Sequence, residues 1–213
     1  MTSNILIFCA HSDDEAVGMG GTIAKFVDSG KEIVKVVFSF GEKSHPHLKE
    51  KVIASARVEE SIEASEFLGI KETIFLGLDE LKFDEEIKKF NIKEKIIKII
   101  EKYNPERIYT PSEMDLHPMK NHEAVYRLIN ALLGKMQKKY PLYAFEVWDV
   151  SKANKPYVYE DISKYYKKKI AYMKSFSSQW LSMYGLMPSV FLRAKKYGRA
   201  IGVKYAERFY KIR

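Results

Sequence analysis

Short apolar runs alternate along this chain with longer stretches in which apolar residues recur every three or four positions. The short runs are typical of buried strands, and the longer stretches are typical of amphipathic helices. We predict strands at residues 4–9, 32–40, 73–76, 107–110 and 143–150. We predict helices at residues 16–29, 48–68, 92–103 and 120–139. Gly30 and Gly69 directly follow two of these helices, a position where glycine commonly ends a helix.

The alternation of strands with helices predicts the fold class. It is typical of βαβ units, which build a mainly parallel β-sheet flanked by helices on both faces. A chain of 213 residues without a repeat or a linker is long enough for one core and short for two. We therefore predict an α/β protein that forms a single Rossmann-like domain over residues 1–213. Ligands of such sheets bind beyond the carboxyl ends of the strands.

The C-terminal segment, about residues 161–213, differs in composition from the rest of the chain. The net charge is +8, and residues 164–213 contain 13 Lys or Arg against one acidic residue, Glu207. Basic and aromatic residues are interleaved here, as they are on elements that bind RNA or a membrane surface. We favour helices that pack through their aromatic side chains and expose their lysines. We hypothesise that the segment forms a subunit interface of a homo-oligomer, expect no nucleic-acid partner, and leave contact with a membrane surface open.

Three features of the sequence bear on the compartment of the protein. The chain has no run of about 18 apolar residues, the length that a membrane-spanning helix needs. Its N-terminus does not show the basic, apolar and small-residue regions of a secretion signal. The single cysteine, Cys9, excludes an internal disulfide. We therefore expect a cytoplasmic protein.

A crowded group of ionisable side chains directly follows the first predicted strand. Within five residues it contains one histidine and three carboxylates: His11, Asp13, Asp14 and Glu15. The carboxylates repel one another unless a cation lies among them. Because the group lies at the edge of the sheet where ligands bind, a divalent metal ion is the expected cation.

A second polar group follows the fourth predicted strand, in a loop and the first turn of the next helix: Asp115, His117, Asn121 and His122. A catalytic zinc site needs three protein ligands and an open position for water, and His11, Asp14 and His122 would supply the ligands. Another divalent metal is compatible with the same donors. Asp13, left uncoordinated, would then accept the proton of the attacking water.

Each of these residues also has a purely structural explanation. The run from Ser12 to Asp14 lies where the N-cap of the following helix belongs, and Pro118 can simply begin a helix. The presence of two polar clusters, both at strand ends, favours the metal site. His45 and His47 are weaker candidates, which we interpret as part of a flap over the substrate site and not as a second metal site.

Several motifs of this chain match one known family. Residues 10–15 have the sequence AHSDDE, which differs only at Ser12 from the strand-end motif (A/P)HPDDE. The segments 18–30 (GMGGTIAKFVDSG) and 75–79 (FLGLD) are further similarities. The C-terminal part adds Lys169, Ser178-Gln179 and the segment 205–209, YAERF. In these motifs, which extend over nearly the whole chain, the sequence resembles the PIG-L/LmbE family of zinc-dependent de-N-acetylases.

The resemblance implies a role for each residue of the predicted site. In that family two histidines and one aspartate bind zinc, and a neighbouring aspartate is the general base; the matching residues are His11, His122, Asp14 and Asp13. His117 matches the family histidine that stabilises the developing oxyanion. The spacing from His117 to His122 is two residues longer than usual. His117 must therefore lie in the loop before the helix to reach the site.

The resemblance also implies a reaction and a substrate. We expect a zinc-dependent hydrolase that removes the N-acetyl group from a sugar, disaccharide or glucosaminyl conjugate containing N-acetylglucosamine. Arg57 and Asp79 are the expected substrate contacts, although a buried ion pair between Arg57 and a carboxylate is an equally good interpretation. Two alternatives are a nucleic-acid- or membrane-binding protein that acts through the C-terminal segment, and an amidase of the same fold with another N-acyl substrate.

Overall fold

A seven-stranded sheet forms the centre of the molecule in the computed structural model, which describes residues 4–41, 50–89, 91–114, 120–148 and 155–213. The strands are, in chain order, β1 (Asn4–Cys9), β2 (Glu32–Val37), β3 (Glu72–Phe75), β4 (Arg107–Pro111), β5 (Leu142–Phe145), β6 (Tyr157–Asp161) and β7 (Ala206–Lys211). Their order across the sheet is β3-β2-β1-β4-β5-β7-β6. The first five strands are parallel, and β7 is antiparallel to both of its neighbours. The predicted α/β fold with a mainly parallel sheet is confirmed.

Helices cover both faces of the sheet. They are α1 (Asp14–Asp28), α2 (Glu50–Leu68), α3 (Phe83–Lys89), α4 (Ile92–Tyr103), α5 (Asn121–Lys135), α6 (Tyr166–Lys174) and α7 (Trp180–Ala200). Ile5 and Ile7 of β1 share a buried cluster with α1, α2, α6 and α7, while Leu6 and Phe8 share another with α3, α4 and α5. Burial on both faces explains why β1, at the centre of the parallel strands, is an almost continuous apolar run. In the part of the chain that the structure describes, no helix is long and apolar enough to cross a membrane.

The observed elements differ from the predicted ones mainly near the C-terminus. Strand β6 was not predicted, and the segment predicted to be helical from about residue 161 contains α6 and α7 but ends in β7. β7 pairs with β5 and β6, and its residues Phe209 and Tyr210 are buried in the sheet. These two aromatic residues therefore belong to a strand, where aromatic side chains are also favoured, and not to a packed helix. The fifth strand ends at Phe145 and not at residue 150, and α3 is an additional helix.

The direction in which the chain winds changes beside β1. The chain goes from β1 to β2 and β3 on one side, while β4 and β5 lie on the other side of β1. In open parallel sheets, the crevice at such a point, beyond the carboxyl ends of the strands, is where ligands bind. His11 and Asp14 follow β1, and His122 lies near the start of the helix after β4. The topology therefore brings both predicted polar clusters to one crevice.

Candidate metal centre

Three side chains of metal-ligand type converge beyond the carboxyl ends of β1 and β4. His11 lies in the turn after β1, Asp14 begins α1, and His122 lies in the first turn of α5. One ligand atom from each residue lies within 4.8 Å of the other two. The structure therefore brings together the three residues that the sequence predicts as metal ligands, although Asp14 and His122 are 108 positions apart.

The carboxylate of Asp14 is the centre of this cluster. Its Oδ1 lies 3.0 Å from Nε2 of His122 and 3.6 Å from Nδ1 of His11. Its Oδ2 accepts a hydrogen bond of 2.9 Å from the backbone N–H of His11. The side chains of His11, Asp14 and His122 are only 6%, 3% and 1% exposed. Two imidazoles and a carboxylate form a donor set that suits a divalent metal ion such as Zn²⁺.

The charges within the cluster shift two pKa values in opposite directions. Burial raises the pKa of Asp14, but the neighbouring His122 and His11 outweigh burial and hold this pKa well below its usual value. Burial lowers the pKa of His11, but hydrogen bonds with Asp14 and Glu80 outweigh it and raise the pKa to about 9. The carboxylate is therefore charged and favours the protonated form of His11. A metal ion would compete with protons for the ligand atoms, because ligand side chains bind metal in their deprotonated form.

Asp13, the predicted general base, forms an ion pair with Arg57 beside the cluster. Asp13 Oδ1 lies 3.3 Å from Nη2 of Arg57, and the Asp13 side chain is 13% exposed. Arg57 is buried, and it also donates from Nη1 to the carbonyl oxygen of Gly41 at 3.0 Å. The guanidinium therefore orients the carboxylate of Asp13. The structure has the ion pair that was one of the two interpretations of Arg57, and contact of Arg57 with a substrate stays a prediction.

Comparisons with known proteins agree with the predicted family. Residues 6–133, which include the three candidate ligands and Asp13, match the family described as PIG-L: GlcNAc-PI de-N-acetylase. The chain belongs to the PIG-L family. This confirms the family that the motifs predicted and, with it, the predicted enzyme class, a hydrolytic N-deacetylase.

Two curated relatives of this PIG-L family member are named as deacetylases. The diacetylchitobiose deacetylase of Thermococcus kodakarensis is 27% identical over 220 residues, which cover 95% of this chain and 80% of the relative. The "Probable N-acetyl-alpha-D-glucosaminyl L-malate deacetylase 2" of Bacillus cereus is 30% identical over 145 residues, which cover 65% of this chain and 64% of the relative. The chain is therefore similar to both proteins, with the longer match to the first.

One solved structure shows how far the fold extends beyond deacetylases. GalB, the 4-carboxy-2-hydroxymuconate hydratase of Pseudomonas putida KT2440, matches with a TM-score of 0.85 and 21% identity, over 100% of this chain and 97% of that chain. At this identity the likeness shows the fold alone. Because that protein is named a hydratase, the fold by itself does not determine the reaction. The reaction must be inferred from the side chains of the site.

Two further side chains of the PIG-L site contact the ring of His11. Glu80 Oε1 lies 3.0 Å from His11 Nε2. Asn121 Nδ2 lies 3.5 Å from the same nitrogen and donates to the carbonyl oxygen of Glu80 at 3.3 Å. Both side chains are buried. A carboxylate that accepts the N–H of a ligand histidine fixes the ring orientation and leaves the other nitrogen for the metal.

Asp79 is the residue that the sequence predicts as a substrate contact in this region, and its neighbour Glu80 was not predicted. Asp79 Oδ1 accepts a hydrogen bond of 2.8 Å from the backbone N–H of Leu81, whereas Glu80 faces His11. The only sequence signal for Glu80 was its position next to a residue of the FLGLD motif. Contact of Asp79 with a substrate stays a prediction. His117, the predicted oxyanion residue, and the loop with His45 and His47 lie outside the described residues.

A cavity of about 300 Å³ opens beside Glu80 and Asn121. Phe83 contributes an apolar wall, and the acidic side chains Asp84 and Glu85 also line the space. A volume of this size lies at the lower end of the range for small-molecule sites. Because two of its lining residues also contact His11, the cavity adjoins the candidate metal centre.

A buried hydrogen-bond network supports the PIG-L motif from within the fold. Glu15 Oε1 accepts hydrogen bonds from Lys35 Nζ at 2.8 Å and from the hydroxyl of Tyr172 at 2.5 Å, and Oε2 accepts one from Cys9 Sγ at 3.3 Å. Lys35 also donates to Ser61 Oγ at 2.9 Å. Burial and the charge of Glu15 raise the pKa of Tyr172 well above its usual value, so that the phenol stays protonated. The network joins β1, β2, α1, α2 and α6.

The C-terminal motif of the family stabilises a kink in α1. The carboxylate of Glu207 accepts hydrogen bonds from the backbone N–H groups of Gly21 at 3.1 Å and Thr22 at 2.7 Å. Lys169 Nζ donates to the carbonyl oxygen of Val17 at 2.7 Å and to Glu207 Oε1 at 2.5 Å. Side chains from α6 and β7 therefore satisfy backbone groups that the kink takes out of the regular helix. Lys169 and Glu207 thus hold the helix that begins with Asp14.

Proposed function

We propose that this protein is a zinc-dependent deacetylase that removes the N-acetyl group from a substrate containing N-acetylglucosamine and releases acetate and a free amine. The observation that carries the proposal is the convergence of His11, Asp14 and His122 within 4.8 Å, next to the ion-paired Asp13. Membership of the PIG-L family and the names of two curated relatives support the same reaction.

Zn²⁺ fits the three side chains by donor type and charge. Catalytic zinc sites have three protein ligands of this kind and keep one position for water or substrate. His11, Asp14 and His122 would hold the ion, and the low pKa of Asp14 keeps that ligand in the charged form that binds cations. When bound, Zn²⁺ supplies a Lewis acid for the amide carbonyl and lowers the pKa of water.

Asp13 carries out the proton transfers in this reaction. Its carboxylate accepts a proton from the attacking water while the new C–O bond forms at the acetyl carbon. The C–N bond of the amide then breaks, and Asp13 gives the proton to the nitrogen of the departing amine. Arg57 holds Oδ1 of Asp13 at 3.3 Å, so that Oδ2 is the oxygen that carries the proton. His117 keeps its predicted role at the oxyanion.

The sugar occupies the cavity beside Glu80 and Asn121 in this proposal. The cavity adjoins the metal centre, and its volume of about 300 Å³ suits a single pyranose ring. Its carboxylates accept hydrogen bonds from sugar hydroxyls, and Phe83 offers an apolar surface to the ring. Asp79 and Arg57 are the further substrate contacts that the family resemblance implies.

Acetate release tests the proposal directly. The zinc-loaded protein is incubated with N-acetylglucosamine and with N,N'-diacetylchitobiose, and acetate and free amine are quantified. We expect equal amounts of both products, and a loss of turnover by about 10²- to 10⁴-fold in Asp13→Asn, because that variant cannot accept the proton. Asp28→Asn, a matched change at the other end of α1 on an exposed residue, should keep full activity.

Two results would overturn this function. One is zinc-loaded protein that binds the metal stoichiometrically but releases no acetate from either sugar. The other is release from a simple N-acetyl amino acid at a higher rate than from both sugars, which would identify an amidase of the same fold. Equal turnover in Asp13→Asn and the unchanged protein would reject the assignment of the general base.

A further inference from the structure

Helix α7 exposes a row of large apolar side chains to solvent. Residues 180–192, its first thirteen positions, contain no charged residue. The exposed fractions are 59% for Trp180, 71% for Leu181, 54% for Tyr184, 41% for Phe191 and 65% for Leu192. At about 3.6 residues per turn these side chains share one side of the helix, which we call the α7 face. Soluble monomers seldom expose an apolar patch of this kind outside an interaction site.

Helix α2 has a second exposed face of complementary composition. Val52, Ile62 and Phe67 are 58%, 42% and 50% exposed. Residues 58–68 contain four glutamates and no Lys or Arg, and three of these glutamates are exposed: Glu59, Glu63 and Glu66. We call this surface the α2 face. It combines apolar side chains with a strongly acidic border.

The two faces adjoin each other on the same side of the sheet. The carboxylate of Glu60 in α2 accepts hydrogen bonds from Ser177 Oγ at 2.6 Å, from the backbone N–H of Ser178 at 2.7 Å and from Ser178 Oγ at 2.6 Å. Trp180 begins α7 only two residues later. Both helices contribute to the same buried cluster against the sheet. The start of the α7 face is therefore held beside α2, on the side of the sheet that both helices cover.

We infer that the two faces form the interface with a second copy of the chain, in which the α7 face of each copy packs on the α2 face of the other. The last turns of α7 expose Lys196 and Arg199, so that the α7 face ends in positive charge while the α2 face is negative. In a two-fold symmetric pair both contacts form at once. The apolar residues are then buried, and each basic helix end meets the partner's glutamates.

The size of the surface is adequate for such a pair. A stable interface buries about 800 Å² per partner, with large aromatic and aliphatic side chains in its centre. Eight large apolar side chains of the two faces, each exposed by 41% or more, supply a large part of this area. An aromatic side chain such as Trp180 near the middle is the kind of residue that contributes most to association.

An anionic membrane surface fits the same residues less well. Lys196 and Arg199 would be attracted to acidic lipids, but Glu59, Glu63 and Glu66 on the adjoining face would be repelled. A pair that joined two α7 faces directly would leave the basic helix ends without acidic partners, because α7 contains no acidic residue. Only the contact of the α7 face with the partner's α2 face satisfies both signs of charge.

Sedimentation of the full-length chain at tens of micromolar tests this inference without reference to catalysis. We expect a dimer, or a larger assembly built from dimers, for the unchanged protein and a monomer for Leu181→Asp/Leu192→Asp. Ile201→Asp is the matched control, because Ile201 is 42% exposed but lies beyond the end of α7. It should keep the assembly. Circular dichroism of each variant verifies that the fold is retained, and a monomeric unchanged protein would overturn the inference.

Charge reversal tests the pairing of the two faces. Glu59→Lys/Glu63→Lys and Lys196→Glu/Arg199→Glu should each be monomeric alone, because each places like charges against each other. Mixed in equal amounts they should form heterodimers, since an altered α2 face then meets an altered α7 face of opposite sign. Two homodimers that persist, or a mixture that stays monomeric, would contradict the proposed contact. A monomer that sediments with phosphatidylserine vesicles would assign the surface to a membrane and overturn the inference.

Discussion

Nη2 of Arg57 lies 3.3 Å from Oδ1 of Asp13, so that a buried cation of α2 holds the predicted general base at the start of α1. The two residues are 44 positions apart. Gly41 completes the arrangement: its φ is +70°, and a Cβ at this position would lie 2.3 Å from Nη1 of Arg57. Glycine is needed there because the guanidinium packs directly on the backbone. The fold therefore orients the base before any substrate binds.

Arg57→Lys should lower turnover through the orientation of Asp13. Lysine keeps the positive charge but cannot hold the carboxylate oxygen and the Gly41 carbonyl with a planar fork. We expect kcat to fall on the order of tenfold, which corresponds to about 1.4 kcal/mol of transition-state stabilisation, with little change in KM. Steady-state acetate release measures both constants. A rise in KM at constant kcat would instead show that Arg57 acts by binding the substrate.

Zinc should stabilise the protein only when the three candidate ligands are intact. With free Zn²⁺ at about 100 times its Kd, the free energy of unfolding should rise by about 2.7 kcal/mol over the chelated protein. Asp14→Asn and His122→Ala should each lose this increment, because two ligands bind zinc far more weakly than three. Asp28→Asn should keep it. Urea unfolding with and without a chelator gives the comparison, and an increment that survives in Asp14→Asn would place the metal elsewhere.

Lys35→Met should destabilise the fold strongly although Lys35 does not contact a candidate ligand. Lys35 and Glu15 are both fully buried and form an ion pair of 2.8 Å. Loss of one partner leaves the other charge buried alone, which costs about 3–5 kcal/mol of unfolding free energy. Glu15→Gln/Lys35→Met should recover part of this loss. Lys31→Met, which breaks a partly exposed ion pair with Glu106, should change stability by about 1 kcal/mol or less. Chemical denaturation of the unchanged protein and the three variants measures these differences in unfolding free energy.

Glu207→Ala should loosen the kink in α1. The change leaves Lys169 as an unpaired buried cation and removes the acceptor of two backbone N–H groups, so that we expect a loss of about 3–5 kcal/mol. Hydrogen exchange of the Gly21 and Thr22 amides should become faster, since these amides donate to Glu207. Glu160→Ala, which removes a partly exposed partner of Lys25, is the control. Unchanged protection of both amides would contradict this role of Glu207.

Tyr172 should make the stability of the protein depend on alkaline pH. Burial, together with the charge of Glu15, raises the pKa of Tyr172 well above the usual value of about 10. Above that pH the unfolded chain loses the phenolic proton while the folded chain keeps it. The contribution of Tyr172 is therefore present below about pH 10 and is lost as the pH rises further.

Comparison with Tyr172→Phe isolates this contribution from other alkaline titrations. At neutral pH the variant should be less stable by about 2 kcal/mol, because a hydrogen bond to a buried carboxylate is lost. Above pH 10 the difference between the two proteins should shrink. Thermal unfolding at several pH values provides the measurement, and a difference that grows with pH would show that the sign is wrong.

Local sequence was sufficient for much of the fold and for the candidate ligands. Strands and helices follow from the period of the apolar residues, and alternating elements imply a parallel sheet with helices on both faces. His11 and Asp14 could be selected because ligand-type residues at the end of a buried strand lie at the ligand-binding edge of such a sheet. His122 follows from the same rule at the fourth strand, and the PIG-L motif carried the choice of reaction.

The tertiary structure decided the features that depend on residues distant in sequence. Glu80 reaches His11, Arg57 pairs with Asp13, and Lys35 meets Glu15 across separations that no local periodicity records. The position of β7 between β5 and β6 likewise depends on its pairing partners, because its own residues are also compatible with a helix. The apolar pattern of a segment reports which of its sides is buried. The partner of each buried charge is fixed only when the helices and strands pack together. That packing determined which side chains contact His11, Asp13 and Glu15.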